Sequence, residues 1–218
     1  MRILVLGAGG HGQVVADILL RMADAGAELT VTGFLDDSPD LAGQRLLGLP
    51  VLGRLADRMS LPHEAVVVAV GNNLQRHRLA AELSREGEVF ALACHPRAVI
   101  APDVTIGPGT MVCGGVVVNP GSVIGAHAIL NTACTVDHHG RIGDFAHIAP
   151  GVHLGGDVRI GTGTFVGIGS SVLPQLSIGE WTIIGAGSVV TRDIPSRVTA
   201  VGVPARPRRI PGGGQQKR

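Results

Sequence analysis

Four histidines fall close together in this 218-residue chain: His138, His139, His147 and His153. Imidazole is the side chain that takes and returns a proton near neutral pH. Eighteen residues after His138 stands Gly156. If the chain completes one turn every eighteen residues, Gly156 lies against His138. A glycine there leaves space beside the ring and an open backbone N–H. A base for a nucleophile's proton, next to a donor for a carbonyl oxygen becoming an oxyanion, is what acyl transfer requires. Metal binding is the rival use of histidines, but no cysteine or carboxylate here has zinc-site spacing, so no metal is expected. A second candidate lies at the start, where Gly7-Ala8-Gly9-Gly10-His11-Gly12 follows the apolar run Ile3–Leu6 and precedes helical spacing at Val14, Val15, Ile18, Leu19 and Met22. A strand, a Gly-rich turn and a helix N-terminus make a cradle for phosphate. G-x-G-x-x-G has the letters of a dinucleotide site. A nucleotide sugar, NAD and a purely structural turn all remain open, although about ninety residues leave no second mononucleotide half for NAD. His11 is placed either to contact a diphosphate or to face solvent.

The elements that hold these residues follow from one unbroken period. From Ala98 to Val190 every sixth residue is Ile, Val or Leu: Ile100, Ile106, Val112 and so on to Val190, sixteen in succession. Neither a 3.6-residue helix nor a lone two-residue strand repeats at six. A short extended segment plus a turn does. Three of these make a triangular coil, and roughly five coils stack with the apolar third residue inside. The Gly that most often follows it suits a corner, where the backbone turns tightly or reaches positive φ.

Ahead of the repeat, Ile3–Leu6, Val31–Leu35, Ala65–Val70 and Val89–Ala93 read as strands, and Val51-Leu52 as a short one before a small helix near Arg54 to Met59. Leu74–Glu86 reads as an amphipathic helix with Leu79 and Leu83 inward and Arg76, Arg78 and Arg85 outward. This is a small parallel α/β unit, with ligands expected at the carboxyl ends of its strands. There Asp36-Asp37 could meet ribose or base, and Gly71-Asn72-Asn73 ends the third strand. The expected division is a Rossmann-like domain over 1–93, a β-helix over 94–195 and a C-terminal segment over 196–218, where prolines break the hexad and Gly212–Arg218 is disordered.

Composition narrows the function. Aromatics are 2 % and the net charge is +1, which gives no reason to expect nucleic acid or an anionic membrane as partner. No apolar run is long enough for a membrane span or signal peptide, so the expected location is cytoplasmic. Three cysteines, Cys94, Cys113 and Cys134, do not suggest a disulfide framework.

The motifs GAGGHG (7–12), FLDD (34–37), AVGNN (69–73), NTA (131–133), VDH (136–138), IGDFAHIAPG (142–151) and VGVPAR (201–206) together resemble the left-handed β-helix acyltransferases. Within them the chain is similar to bacterial sugar acetyltransferases of the sialic-acid O-acetyltransferase and UDP-4-amino-sugar N-acetyltransferase type. The resemblance covers residues 1 to about 210. It implies an acetyl-CoA-dependent N-acetyltransferase acting as a homotrimer on a nucleotide-linked amino sugar (UDP or GDP). An O-acetyltransferase of the sialic-acid type and a non-catalytic nucleotide-sugar scaffold are the alternatives. It implies His138 as general base without an acyl-enzyme, Asn131 near the reacting groups, and Gly156 as donor to the thioester carbonyl. His147, Gly156, Ile168, Gly185 and Arg206 would line the acetyl-CoA site. Gly9, Gly10, His11, Asp36, Asp37, Gly71 and Asn72 would hold the nucleotide sugar. The family follows its base with Asp or Glu; here His139 takes that place. Asp137 and Asp144 are the nearby acids, but on an extended segment adjacent side chains point to opposite faces.

Overall fold

The computed structural model describes residues 1–208; the expected disorder of Gly212–Arg218 lies outside them. The first part is a five-stranded sheet in the order β3-β4-β2-β1-β5, from β1 (Arg2–Leu6), β2 (Thr30–Leu35), β3 (Arg45–Leu46), β4 (Leu49–Gly53) and β5 (Ala65–Val68). β1 pairs in parallel with β2 and β5, as does β2 with β4; only the β3–β4 pair is antiparallel. The continuous apolar runs of β1 and β5 are buried on both faces, as parallel strands between helices must be. Helix α1 (Gly10–Asp24) buries Val15, Ala16, Ile18 and Leu19, and α2 (Asn73–Arg85) packs on the other side through Ala80 and Leu83.

The repeat folds as a three-faced prism of two-residue strands. The first face runs from Ala93–Cys94 through Met111–Val112, Ile129–Leu130, His147–Ile148, Phe165–Val166 and Ile183–Ile184 to Thr199–Val201, ending in the antiparallel Arg206–Arg208. The second face holds six strands, Val99–Ile100 to Val189–Val190; the third holds five, Thr105–Ile106 to Ser177–Ile178. Partners are eighteen residues apart, as in Val117↔Thr135 and Val118↔Val136. The third-place residues from Val112 to Val190 are all buried, and only Ile100 and Ile106, in the open first coil, are half-buried. First-place hydroxyls also turn inward and are satisfied across the coils. Thr110 Oγ1 donates to Gly125 O at 2.7 Å and accepts from Ala128 N at 3.0 Å.

Four sequence expectations are corrected. Val89–Ala93 is not a strand of the first sheet: Phe90 alone bridges to Val66, and Ala93–Cys94 is already the first rung of the prism. At the other end the prism does not stop at 195, because Ile194 pairs with Ile178 and Ala200 is buried beneath Ile184. The glycine after the apolar position is needed for close approach rather than positive φ; a Cβ on Gly161 would lie 2.5 Å from the Glu180 nitrogen in the next coil. Positive φ falls two places later, where His127, Ala133, His139, Phe145 and Asp157 adopt it. Finally, Arg76 does not face solvent. It is 0 % exposed, because the outer side of α2 is laid on the first face of the prism.

Candidate active site

The Gly-rich turn is braced from both sides. Gly7 sits at φ +110°, and Gly12 has no alternative to glycine: a Cβ would lie 2.0 Å from the Gly7 carbonyl oxygen. By contrast, a Cβ on Gly9 or Gly10 meets nothing within 4 Å, so these two face open space at the start of α1. Asp36 is already engaged, since its carboxylate accepts from Ala8 N (2.7 Å) and Ser38 N (2.9 Å). It shapes the cradle from beneath. Asp37 accepts from Leu55 N at 3.1 Å and lines a separate cavity with Arg58 and Met59. Asn72 caps α2 by accepting from Gln75 N at 3.0 Å.

The cradle is fixed to the prism by polar side chains. Arg76 Nε donates to His127 O (2.9 Å), Nη1 to Val70 O (2.8 Å) and Gly71 O (3.3 Å), and Nη2 to Asn73 Oδ1 (3.0 Å) and Phe145 O (2.8 Å). No carboxylate joins them; burial lowers the guanidinium to about 9. Asn73 Nδ2 in turn donates to Gly163 O at 3.0 Å. This seam brings His11 to the first face, with its ring centroid 6.4 Å from that of His147. His147 Nε2 lies 3.1 Å from Asn131 Nδ2, and its ring stands edge-on to Phe165. Burial first, then the Arg76 charge, holds His147 down to about 3 and His11 to about 4, so both are neutral at working pH. His11 Nε2 and His147 Nδ1 are buried without a hydrogen-bond partner of good geometry, and the Gly71 backbone lies against His147.

His138 and Gly156 form a second centre elsewhere. His138 lies at the corner between the second and third faces, after Thr135–Val136. A Cβ on Gly156 would sit 2.5 Å from His138 Cε1 and Nε2, so only glycine admits the ring. Asp137 does not reach the imidazole: its Oδ1 accepts from the His138 backbone N (2.7 Å) and Asn119 Nδ2 (2.8 Å). His139 takes φ +58°, and its Nδ1 lies 3.0 Å from His138 Nδ1. His153, one coil on from Thr135, accepts or donates at 3.0 Å to the Thr135 hydroxyl.

The chain thus gathers His11, Gly71, Asn131 and His147 but leaves His138 and Gly156 across the second face. Six residues lie between Asn131 and His138, of which only Thr135–Val136 is strand, so the separation is below the roughly 20 Å that fully extended chain at about 3.3 Å per residue would span. Ile168 is exposed at the corner between the first and second faces. Gly185 follows the Ile183–Ile184 strand, and Arg206 begins the final antiparallel strand. Sequence reasoning missed Arg76 and Asn73. Their only local signal was a polar residue on an otherwise ordinary helix. Among the described residues no cluster of His, Cys, Asp and Glu could hold a metal.

Residues 2–83 match the family described as the PglD N-terminal domain, and 97–132 and 157–192 match the bacterial transferase hexapeptide repeat. A perosamine N-acetyltransferase from Caulobacter crescentus, solved with CoA and GDP-perosamine, superposes with a TM-score of 0.88 at 36 % identity, covering 96 % of this chain and 98 % of that one. This chain belongs to the bacterial sugar acetyltransferases of the left-handed β-helix, hexapeptide-repeat class. As a member of this family it is an acyltransferase with acetyl-CoA as acyl donor. The acetyltransferase domain of PglB from Neisseria gonorrhoeae, in complex with acetyl coenzyme A, gives 0.87 at 38 % identity over 94 % and 98 % of the two chains. Among curated relatives, a putative acetyltransferase of Schizosaccharomyces pombe is 43 % identical over 74 residues, only 34 % of each chain. That alignment covers a third of the chain, whereas the near-complete superpositions cover both parts.

Proposed function

We propose that this protein transfers the acetyl group of acetyl-CoA to the amine of a nucleotide-linked amino sugar, with His138 as general base and no acyl-enzyme. The observation that carries the reading is the placement of the Gly-rich cradle. Arg76 and Asn73 bind it to the same prism face that presents Asn131 and His147. A diphosphate at Gly9, Gly10 and the start of α1 would direct its sugar towards His11 and that face. The nucleotide base is a uracil or a guanine; solved relatives with GDP-perosamine favour the second. The acyl donor would lie beside Ile168, Gly185 and Arg206.

The separation of His138 from this face means that one chain does not complete the site. A homotrimer, with the His138 corner of one subunit against the Asn131–His147 face of the next, brings the halves together. The amine nitrogen attacks the thioester carbonyl carbon while His138 Nε2 removes its proton. The Gly156 N–H donates to the oxyanion. Collapse breaks the C–S bond, and the thiolate takes the proton from His138 to leave as free CoA. His147, held neutral by burial, keeps its Nε2 paired with Asn131 instead of competing for that proton.

The test is CoA release from acetyl-CoA with UDP- and GDP-linked amino sugars, with a hydroxyl sugar such as sialic acid, and with neither. The amino sugars should be turned over and His138→Ala should lose about 10²–10⁴-fold in kcat. Turnover of the hydroxyl sugar alone would make this an O-acetyltransferase, and no turnover at all a binding scaffold. Undiminished His138→Ala turnover would remove the base.

A further inference from the structure

The corner that carries His138 contains a second imidazole that the transfer chemistry above leaves unused. His139 occupies the space left by Gly121 one coil earlier, where a Cβ would lie 2.7 Å from His139 Cδ2. His138 occupies the space at Gly156 one coil later. Each ring is therefore seated by a glycine. At φ +58° His139 turns its Nδ1 to within 3.0 Å of His138 Nδ1, the rings standing 80° apart. Of the acids nearby, Asp137 holds the His138 amide and Asn119, Asp103 holds the Gly121 amide at 2.8 Å, and Asp157, whose backbone N donates to His138 O at 2.9 Å, makes no hydrogen bond to either ring.

Two ring nitrogens at hydrogen-bond distance impose a rule: one bears the proton and the other must not. A base working through Nε2, the nitrogen beside Gly156, has its lone pair there and its hydrogen on Nδ1. We infer that His139 is the positioning residue of this site, a neutral imidazole whose Nδ1 accepts the His138 Nδ1–H and so fixes the base in its Nδ1–H tautomer. The inference rests on the reading of His138 as base. His139 then carries its own hydrogen on Nε2, over Gly121. When His138 Nε2 takes the proton of the attacking amine, the Nδ1–H···Nδ1 bond strengthens because its donor has become cationic. When the thiolate of CoA recovers that proton, the pair returns to its starting form. No proton leaves the pair by way of His139, and no charge is stored on it between turnovers.

Three variants separate this role from a structural one. Asn and Gly both tolerate the positive φ of position 139, so neither strains the corner. His139→Asn keeps an acceptor where Nδ1 lies and should retain kcat within about threefold. His139→Gly keeps the backbone but loses the acceptor, and should lower kcat about ten- to hundredfold with both KM values little changed. His138→Ala is run beside them. If His138→Ala is inactive while His139→Gly turns over like the unaltered protein, the positioning role is overturned and the base stands. If His138→Ala is active, the base reading itself fails. A direct check needs no turnover: ring ¹⁵N spectra should show His138 protonated at Nδ1 and His139 at Nε2. The opposite tautomers, or loss of the His138 preference in His139→Asn but not in His139→Gly, would overturn the inference.

Discussion

Inside the prism the large buried side chains are chiefly Val112, Val118, Ile124, Leu130 and their successors, one apolar position repeated, with smaller first-place residues beside them. Beneath α2, a few ångströms from that core, the buried side chains are Asn73, Arg76, His127 and His147. The prism is held by apolar burial with backbone ladders between identical coils. The seam is held by directed hydrogen bonds from a cation to carbonyls that no coil satisfies. Apolar burial is forgiving: shortening one rung leaves its neighbours packed. The seam is not, since removing its central donor strands several buried acceptors at once. A seam of this kind also sets an orientation, which apolar contact between two smooth faces does not.

Replacing Arg76 by Met is the most severe way to break this contrast. Burial makes the guanidinium costly, and its five hydrogen bonds offset that cost. Met of similar length strands the carbonyls of His127, Val70 and Phe145. The expected loss is about 3–5 kcal/mol in chemical denaturation, from several buried acceptors left unpaired at about 1–3 kcal/mol each, with the first domain losing protection from proteolysis before the prism. Val118→Ala within the prism should cost less, about 1–3 kcal/mol, and lower the transition as a single unit. A smaller loss for Arg76→Met than for Val118→Ala would show the seam to be incidental.

How far the sequence reveals each region follows from the same contrast. The prism was legible because its rule is local: a residue six places on has the same environment, so sixteen repeats reinforce one reading. Its ends were misplaced because the last coil drops two residues, putting Ile194 only four after Val190, which hides it from a period of six. The cradle was legible from glycines whose spacing mirrors a close approach, Gly12 on Gly7. Arg76 was not, because whether a helical arginine meets water or a second domain depends on a surface fifty residues away. That His139 meets the His138 ring was not legible either, since its left-handed φ is a property of the corner and carries no glycine to announce it.

The buried histidines of the seam make its stability depend on pH. His11 and His127 are lowered to about 4 and His147 to about 3, by burial first and by Arg76 next. Above the ordinary value of 6.5 all three are neutral whether the chain is folded or not. As pH falls through 6.5 the unfolded chain gains protons that the folded one refuses until about 4 to 3, so stability declines across that window. Thermal melts should show a drop in Tm from about pH 7 to about pH 5. The drop should be shallower in Arg76→Met, where the second cause of all three shifts is gone. An identical drop in both proteins would assign the depression to burial alone.

The mildest test keeps both regions intact and asks only whether the cradle is used. Gly9 has extended backbone angles, φ −65° and ψ −174°, and a Cβ there meets nothing within 4 Å. No clash opposes Gly9→Val, and since Gly9 caps α1, where Val caps less well, the change should cost about 1 kcal/mol of stability or less. What the added methyls fill is the approach to the first N–H groups of α1, the place a diphosphate would take. The KM of the nucleotide sugar should rise about tenfold, equivalent to about 1.4 kcal/mol of lost binding, while that of acetyl-CoA, proposed to lie beside Ile168, Gly185 and Arg206, stays put. Equal rises in both would mean that the change is felt through the seam rather than at the phosphate, and that the open face of this turn holds no substrate.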